Sequence, residues 1–344
     1  MGKATELRGK ALLRWAAGGL ALVTSLTAAL GAEGGNAGPL RFVVYGASEG
    51  DGDAQRALVG QMIKLKPELV VHAGGLVENR RREADWDAFD AVTKPLRDLC
   101  PFYPCPGPGE VGTAYASRFQ LPSGSARLCP YYSFDRKGVH FVVLDSRTPA
   151  RRDDPQTRWL AADLEAAKGR LIFVFFYDPI HSVTGRASHG GTARIFWHPL
   201  FVRNQVRAAL SGGHHIYYRT AQDGVHYLIT GGGGAPLDAI LARRNLLPTD
   251  VAGSFHHCIE ITVAGDRVRG RVVDTEGKTR DEFELPSLPP KPPAPEKPRP
   301  PTLRASRRRP RDAPCLLVPQ PKRDASTSLS MTTKESAAHS FERT

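Results

Sequence analysis

Short apolar runs alternate with helical spacings between Leu40 and Leu285. RFVVY (41–45), LVVH (69–72), FVVLD (141–145) and LIFVFF (171–176) are rich in large apolar residues and leave no polar face, which predicts strands buried on both sides. Between them Leu58, Met62 and Leu65 recur at helical spacing and predict a helix over Asp53–Lys66. Trp86, Phe89 and Val92 do the same for Asp85–Leu99, and Gln156–Lys168 reads as a third helix. Phe196–Leu210 predicts a fourth, perturbed by Pro199. After Gly212 the pattern changes: HIYYR, VHYLIT, FHHCIEITV and RVRGRVVD predict strands with short polar turns, arranged as a meander. An alternating β/α first half leading into a strand-rich second half predicts the α/β class and a two-sheet sandwich flanked by helices over residues 40–285. No internal repeat is evident.

Outside this body the pattern differs. Residues 1–32 carry Lys3, Arg8, Lys10 and Arg14 ahead of the apolar run Trp15–Leu30, with small residues at Ala29, Gly31 and Ala32. That order predicts a secretory signal peptide cleaved near Ala32, followed by a linker over 33–39. The rival reading is an uncleaved N-terminal membrane anchor, although the run is shorter than the ~20 residues that span a bilayer. From Pro286 to Pro321 the chain holds 13 of its 28 prolines, in LPPKPPAPEKPRPP and RASRRRPR, before a Ser/Thr-rich end. Such a segment cannot build a core, so 286–344 is expected to be a disordered Pro/Arg-rich tail. Its Arg307–Arg311 stretch is either a solvated charged run or a contact for a membrane surface or another polyanion.

Charge follows the same division. The net charge is +12, but residues 1–32 carry +3 and residues 286–344 carry +7, leaving +2 for 33–285. A nucleic-acid-binding surface on the folded body is therefore not expected. Export, periplasmic or extracellular, would permit disulfides. Cys100, Cys105 and Cys129 lie close in sequence, while Cys258 and Cys315 are remote. A bridge from Cys105 (or Cys100) to Cys129 and a set of buried free thiols are the two readings. Five is an odd count, so at least one thiol is unpaired within the chain, and Cys315 in the tail is the leading candidate.

Ligands of α/β proteins gather at the carboxyl ends of strands. Gly46-Ala47-Ser48-Glu49-Gly50 follows the first apolar run, and Ala73-Gly74-Gly75 through Asn79 follows the second. Then come Pro106-Gly107-Pro108-Gly109-Glu110, Tyr177-Asp178-Pro179 after LIFVFF, and Gly212-Gly213-His214-His215. This order and spacing, over about residues 40–240, resembles the calcineurin-like metallophosphoesterases. The resemblance implies an α/β/β/α sandwich with a two-metal site at the strand ends, where a metal-bound hydroxide attacks phosphorus.

The residues at the family's ligand positions are mostly not ligands. Ala47 stands at the first Asp, Gly75 at the bridging Asp, Pro108 at the Asn, Gly109 at the assisting His, Tyr177 at the later His and Gly213 at the first His of the last block. Glu49, Glu110 and His215 match positions that can still donate, and the framework glycines Gly46, Gly74, Gly107 and Gly212 remain. Ala and Gly offer a metal no lone pair, and two adjacent dications need several anionic ligands. The resemblance therefore points to the fold and argues against the usual hydrolysis. No cofactor is expected; an active form would need a divalent metal, Zn, Mn or Fe.

A relocated single-metal site is the alternative, drawn from His215, Glu49, Glu110 and Asp178, with His181, His214 and His72 not far in the chain. The bland reading of each is a solvated or hydrogen-bonded polar residue. His189 reads as an exposed loop residue or a substrate-facing one, and His198, before Pro199, as a packing or capping residue. His256 and His257 alternate across a strand and cannot share one site. Gly231–Gly234 is a close-approach loop or a flexible turn. Asp145-Ser146 has no His placed to complete a triad, and neither a phosphate loop nor a nucleophile elbow is present. Three roles follow: a pseudoenzyme that binds or scaffolds, with a phosphorylated or anionic small molecule as its ligand; an active phosphoesterase on a reduced metal site; and an interaction protein acting through its tail.

Overall fold

The computed structural model describes residues 38–50, 52–108, 110, 112–122, 130–241 and 246–286. The expected signal segment, nearly all of the tail, Gly109, Cys129 and Cys315 lie outside the described residues.

The first sheet takes β1 (Leu40–Tyr45), β2 (Leu69–His72) and β3 (Phe102–Pro104) in parallel, then extends on the other side of β1 through β11 (His257–Ala264), β12 (Arg267–Asp274) and β13 (Thr279–Leu285). The second sheet has the order β10-β8-β9-β7-β6-β5-β4. Here β4 is Tyr132–Arg136, β5 Val139–Val143, β6 Leu171–Phe176, β7 Ala208–Ser211, β8 Tyr217–Gln222, β9 Val225–Thr230 and β10 Val251–Gly253. Strands β5, β6, β7 and β9 run parallel.

Alternation within each strand builds three apolar layers. Phe42 and Val44 of β1 meet Phe173 and Phe175 of β6 between the sheets. The opposite face of β1, Val43 and Tyr45, packs on α1 (Gly52–Leu65) and α2 (Glu83–Arg97) through Leu58, Met62, Trp86 and Phe89. Ile172, Val174 and Phe176 pack on α4 (Pro155–Ala166), α5 (Gly190–Phe196) and α6 (His198–Arg203) through Leu160, Leu164, Trp197 and Phe201. A short α3 (Thr113–Arg118) follows β3. The expected α/β/β/α sandwich is thus formed, and the strands lack a wet face because helices cover both outer sides. Local signals agree with it. Asp154 caps α4, accepting from Thr157 N at 2.6 Å, with Pro155 in the first turn where its missing N–H is harmless.

Two expectations need correction. Phe196–Leu210 is not one helix: α5 ends at Phe196, Pro199 sits in the first turn of α6, and Ala208–Ser211 is a central strand between β6 and β7's other neighbour β9. AALS reads as helical because Ala and Leu favour helices and a strand buried on both faces shows no alternation; sheet pairing overrides that preference. The strand-rich second half is not one meander either. The β8–β9 hairpin joins the second sheet, while β11–β13 complete the first.

Candidate functional site

The loops after β1, β2, β3, β6, β7 and β9 converge at one end of the sandwich and are laced together by their backbones. Ala47 N donates to Gly74 O (2.8 Å), Ser48 N to Gly75 O (2.7 Å), Gly213 N to Tyr177 O (2.8 Å) and Gly233 N to Gly46 O (2.8 Å). Such approach needs glycine: a Cβ on Gly212 would lie 2.6 Å from Ala73 O.

His72, fully buried at the end of β2, fixes the first two loops. Gly74 N donates to its Nδ1 (3.2 Å), so Nε2–H donates to Ser48 Oγ (3.0 Å), and Ser48 passes a hydrogen bond to Leu76 O (3.2 Å). Burial pushes His72 down to about 3, which keeps the ring neutral.

Glu110 is 3% exposed, and its carboxyl is engaged as an internal acceptor. Oε2 accepts from Gly107 N (2.8 Å), and Oε1 from Val77 N (3.2 Å) and Leu76 N. Burial raises it to about 7, although backbone donors from Gly107, Val77, Leu76 and Gly75 pull the other way. Its lone pairs face its own loops.

Of the four residual donors, the structure brings Glu49 and His215 together, with Glu49 Oε1 3.6 Å from His215 Nε2. His215 Nδ1–H donates to Pro236 O (2.8 Å), leaving Nε2 as the lone-pair nitrogen. Burial, and next to it the nearby Glu110, raises Glu49 to about 8, while burial lowers His215. At neutral pH the two therefore meet as neutral groups, not as an ion pair. Glu49 Oε2 and His215 Nε2 are buried and have no hydrogen-bond partner among the described residues. Arg186 stands on the rim, with Nη2 3.4 Å from His215 Nδ1 and Nε 3.1 Å from Asp238 Oδ2.

Asp178 turns elsewhere. Its carboxylate lies 3.3 Å from His189 Nδ1, and its N–H donates to Ser146 Oγ (2.8 Å). Ser146 Oγ also accepts from Tyr177 N (3.1 Å), so Ser146 serves the turn after β6, while the Asp145 carboxylate accepts from Arg147 N (3.0 Å) and Nε (2.7 Å). His181 belongs to another cluster: its ring lies 4.6 Å from that of Tyr227, and burial, then Arg194, lowers it to about 4. His198 is a packing residue there, bonded to Tyr227 OH (2.6 Å) and Asp223 Oδ2 (2.9 Å). His214 Nδ1 meets the hydroxyls of Ser182 (2.5 Å) and Thr184 (2.8 Å).

The sequence places Tyr177 at a substituted ligand position but does not show how its ring packs. Tyr177 is 6% exposed, and burial holds its phenol well above the ordinary range. Its ring lies against Gly74 and Gly213. Ala47 takes a left-handed φ of 52° and Gly75 one of 73°. Pro108 is exposed, and Gly109 lies outside the described residues. Among the described residues no three His, Cys, Asp or Glu side chains are grouped so as to hold a metal ion. Among the described residues Cys100, Cys105 and Cys258 are buried and form no disulfide with one another, and the expected partner Cys129 lies outside the described residues.

No family model matches the chain. Similar curated proteins are plant purple acid phosphatases. One, named "Probable inactive purple acid phosphatase 9" of Arabidopsis thaliana, is 25% identical over 194 residues, 45% of this chain and 30% of that protein. Purple acid phosphatase 21 of Arabidopsis thaliana is 28% identical over 198 residues, 53% of this chain and 45% of that protein. The chain thus spans less than half the length of these relatives. Among solved structures, the purple acid phosphatase PPD1 of yellow lupin superposes with a TM-score of 0.63 at 17% identity, over 72% of this chain and 54% of that one. GAP50 of Plasmodium, described as the anchor in the inner membrane complex, superposes with a TM-score of 0.57 at 17% identity, over 74% of this chain and 90% of that one. The fold is that of the calcineurin-like metallophosphoesterases.

Proposed function

We propose that this chain is a metallophosphoesterase-fold protein that does not carry out two-metal phosphoester hydrolysis and acts by binding or scaffolding. The carrying observation is the donor inventory at the strand ends. Ala47, Gly75 and Gly213 have no donor side chain, Tyr177 is a buried neutral phenol, and the Glu110 carboxyl accepts from three backbone N–H groups. With the Asp178 carboxylate turned to His189, that leaves Glu49 and His215, and two donors cannot balance two adjacent dications. The set does not fit a two-metal centre. A relative named "probable inactive" and an anchor among the structural neighbours support a non-hydrolytic role.

A second reading rests on one observation, the unpartnered Glu49 and His215 pair. With His215 Nδ1–H fixed on a carbonyl, as metal-ligating histidines commonly are, one Zn, Mn or Fe ion held by these two residues and water would give a reduced phosphoesterase site. Metal analysis of the purified chain, together with an assay on an aryl phosphate, separates the readings. The first expects sub-stoichiometric metal and no turnover above buffer; stoichiometric metal with metal-dependent turnover would overturn it.

Export belongs to the same proposal, supported by the charge and apolar order of residues 1–32. So does a contact of the basic tail with a membrane surface or other polyanion; deletion of residues 286–344 tests it, and unchanged binding to membranes or polyanions would remove it.

A further inference from the structure

The substituted ligand positions are occupied by their neighbours. A Cβ on Gly213 would lie 2.8 Å from Tyr177 Cε1 and 2.8 Å from Tyr177 O. One on Gly74 would lie 2.7 Å from Tyr177 Cδ2, and one on Gly75 would lie 2.5 Å from Glu49 Oε2 and 3.0 Å from the Cα of Ala47. Cores are close-packed, so contacts this short require something to move. The buried Tyr177 ring therefore closes the hollow from the β6 side, over the Gly74 and Gly213 backbones, and the Glu49 side chain closes it over Gly75.

We infer that the former metal hollow is closed rather than emptied: the Tyr177 ring and the Glu49 side chain fill the volume that cations and their ligands need, and the substituted positions hold one another in place. This deepens the non-hydrolytic reading and rests on it. It has two consequences. A side chain at position 213 is accommodated only when the Tyr177 ring is gone, and one at position 75 only when Glu49 is displaced, so single reversions toward the family's ligands do not rebuild a metal site. A phosphate group also finds no cradle inside the hollow, and any ligand of this face meets the rim, where Arg186 and Asp238 stand.

The test is a pair of double-mutant cycles on the full chain, read by urea unfolding: Gly213→Ala with Tyr177→Ala, and Gly75→Ala with Glu49→Ala. Gly213→Ala should lower the midpoint. Its penalty on the folding equilibrium should shrink on the order of tenfold once the ring is removed. It should not vanish, because Tyr177 O stays in place. Gly75→Ala should likewise be relieved in part by Glu49→Ala, with the left-handed φ of 73° still opposing a side chain. Penalties that are absent, or equal in both backgrounds, overturn the inference. If Gly213→Ala folds only without the ring, that supports it; if it folds in neither background, the Gly75 cycle decides. Metal content of the unsubstituted chain is read separately. Two bound ions there would defeat the non-hydrolytic reading, whereas uncoupled cycles in a metal-free chain would defeat the closure alone.

Discussion

Glu110 offers a direct test of what the strand-end loops now do. Its carboxyl joins the loop after β2 to the loop after β3 by accepting from Leu76 N, Val77 N and Gly107 N. Glu110→Ala leaves those three N–H groups facing a void too enclosed for ready solvation, since position 110 is 3% exposed. An unsatisfied buried donor costs about 1–3 kcal/mol, so even the low end for three donors gives about 3 kcal/mol. Removing a buried carboxyl refunds part of its desolvation, yet a net loss of about 2–4 kcal/mol is a large fraction of the roughly 5–15 kcal/mol that holds a domain folded. Glu110→Gln keeps one acceptor oxygen and turns an NH2 toward the remaining donors, so its loss should be smaller than that of alanine. Urea unfolding followed by tryptophan fluorescence reads both variants through Trp86, Trp159 and Trp197, which lie in or against α2, α4 and the start of α6. The alanine midpoint should fall by roughly 1 M at ordinary m-values. An alanine variant within about 0.5 kcal/mol of the unsubstituted chain, or a glutamine variant worse than alanine, would refute the assigned role.

Three further outcomes are expected. Glu49 is raised from 4.5 to about 8, so its stabilising contribution is complete below pH 4.5 and is lost as pH rises through 8; thermal scans from about pH 5 to 9 should show Glu49→Gln gaining on the unsubstituted chain as pH rises, and parallel curves would contradict this. Arg207 is 5% exposed and its Nη1 donates to Asp266 O (3.3 Å), Leu285 O (3.3 Å) and Pro286 O (3.0 Å); Arg207→Met should cost about 2–4 kcal/mol by unfolding and raise proteolytic release at the end of β13, while an unchanged midpoint would show those bonds to be dispensable. His140 is raised despite burial, because Asp163 (3.0 Å) and Asp135 (2.7 Å) outweigh it; its contribution is complete below pH 6.5 and disappears as pH rises through its folded value, so an NMR titration of the ring should give a midpoint above 6.5.

Much of the architecture was legible because each apolar run is longer than a chance cluster. RFVVY shows only that it is buried, but the periodicity of Leu58, Met62 and Leu65 in the segment that follows identifies the helical layer packed on it. Ala208–Ser211 was illegible for the opposite reason: four small or mixed residues carry no period, and their strand state is imposed by β6 and β9. At the strand ends, spacing located the loops and the absent donors. It could not show that Tyr177 lies over Gly74 and Gly213, because that depends on a side-chain torsion set by packing. Nor could it show that Glu110 faces its own loops while Asp178 turns to His189. Several of those choices depend on neighbours more than 30 residues away, such as Ser146 for the turn at Tyr177 and Leu76 for Glu110.

On the proposed reading, this strand-end hollow does not hold a pair of cations. Crystals of the full chain soaked in Mn2+ or Zn2+ and measured at the metal's absorption edge test it most directly. No paired anomalous peaks are expected in the space bounded by Ala47, Gly75, Tyr177 and Gly213. Two well-occupied peaks there, about 3.5–4 Å apart as in working two-metal sites, would contradict it.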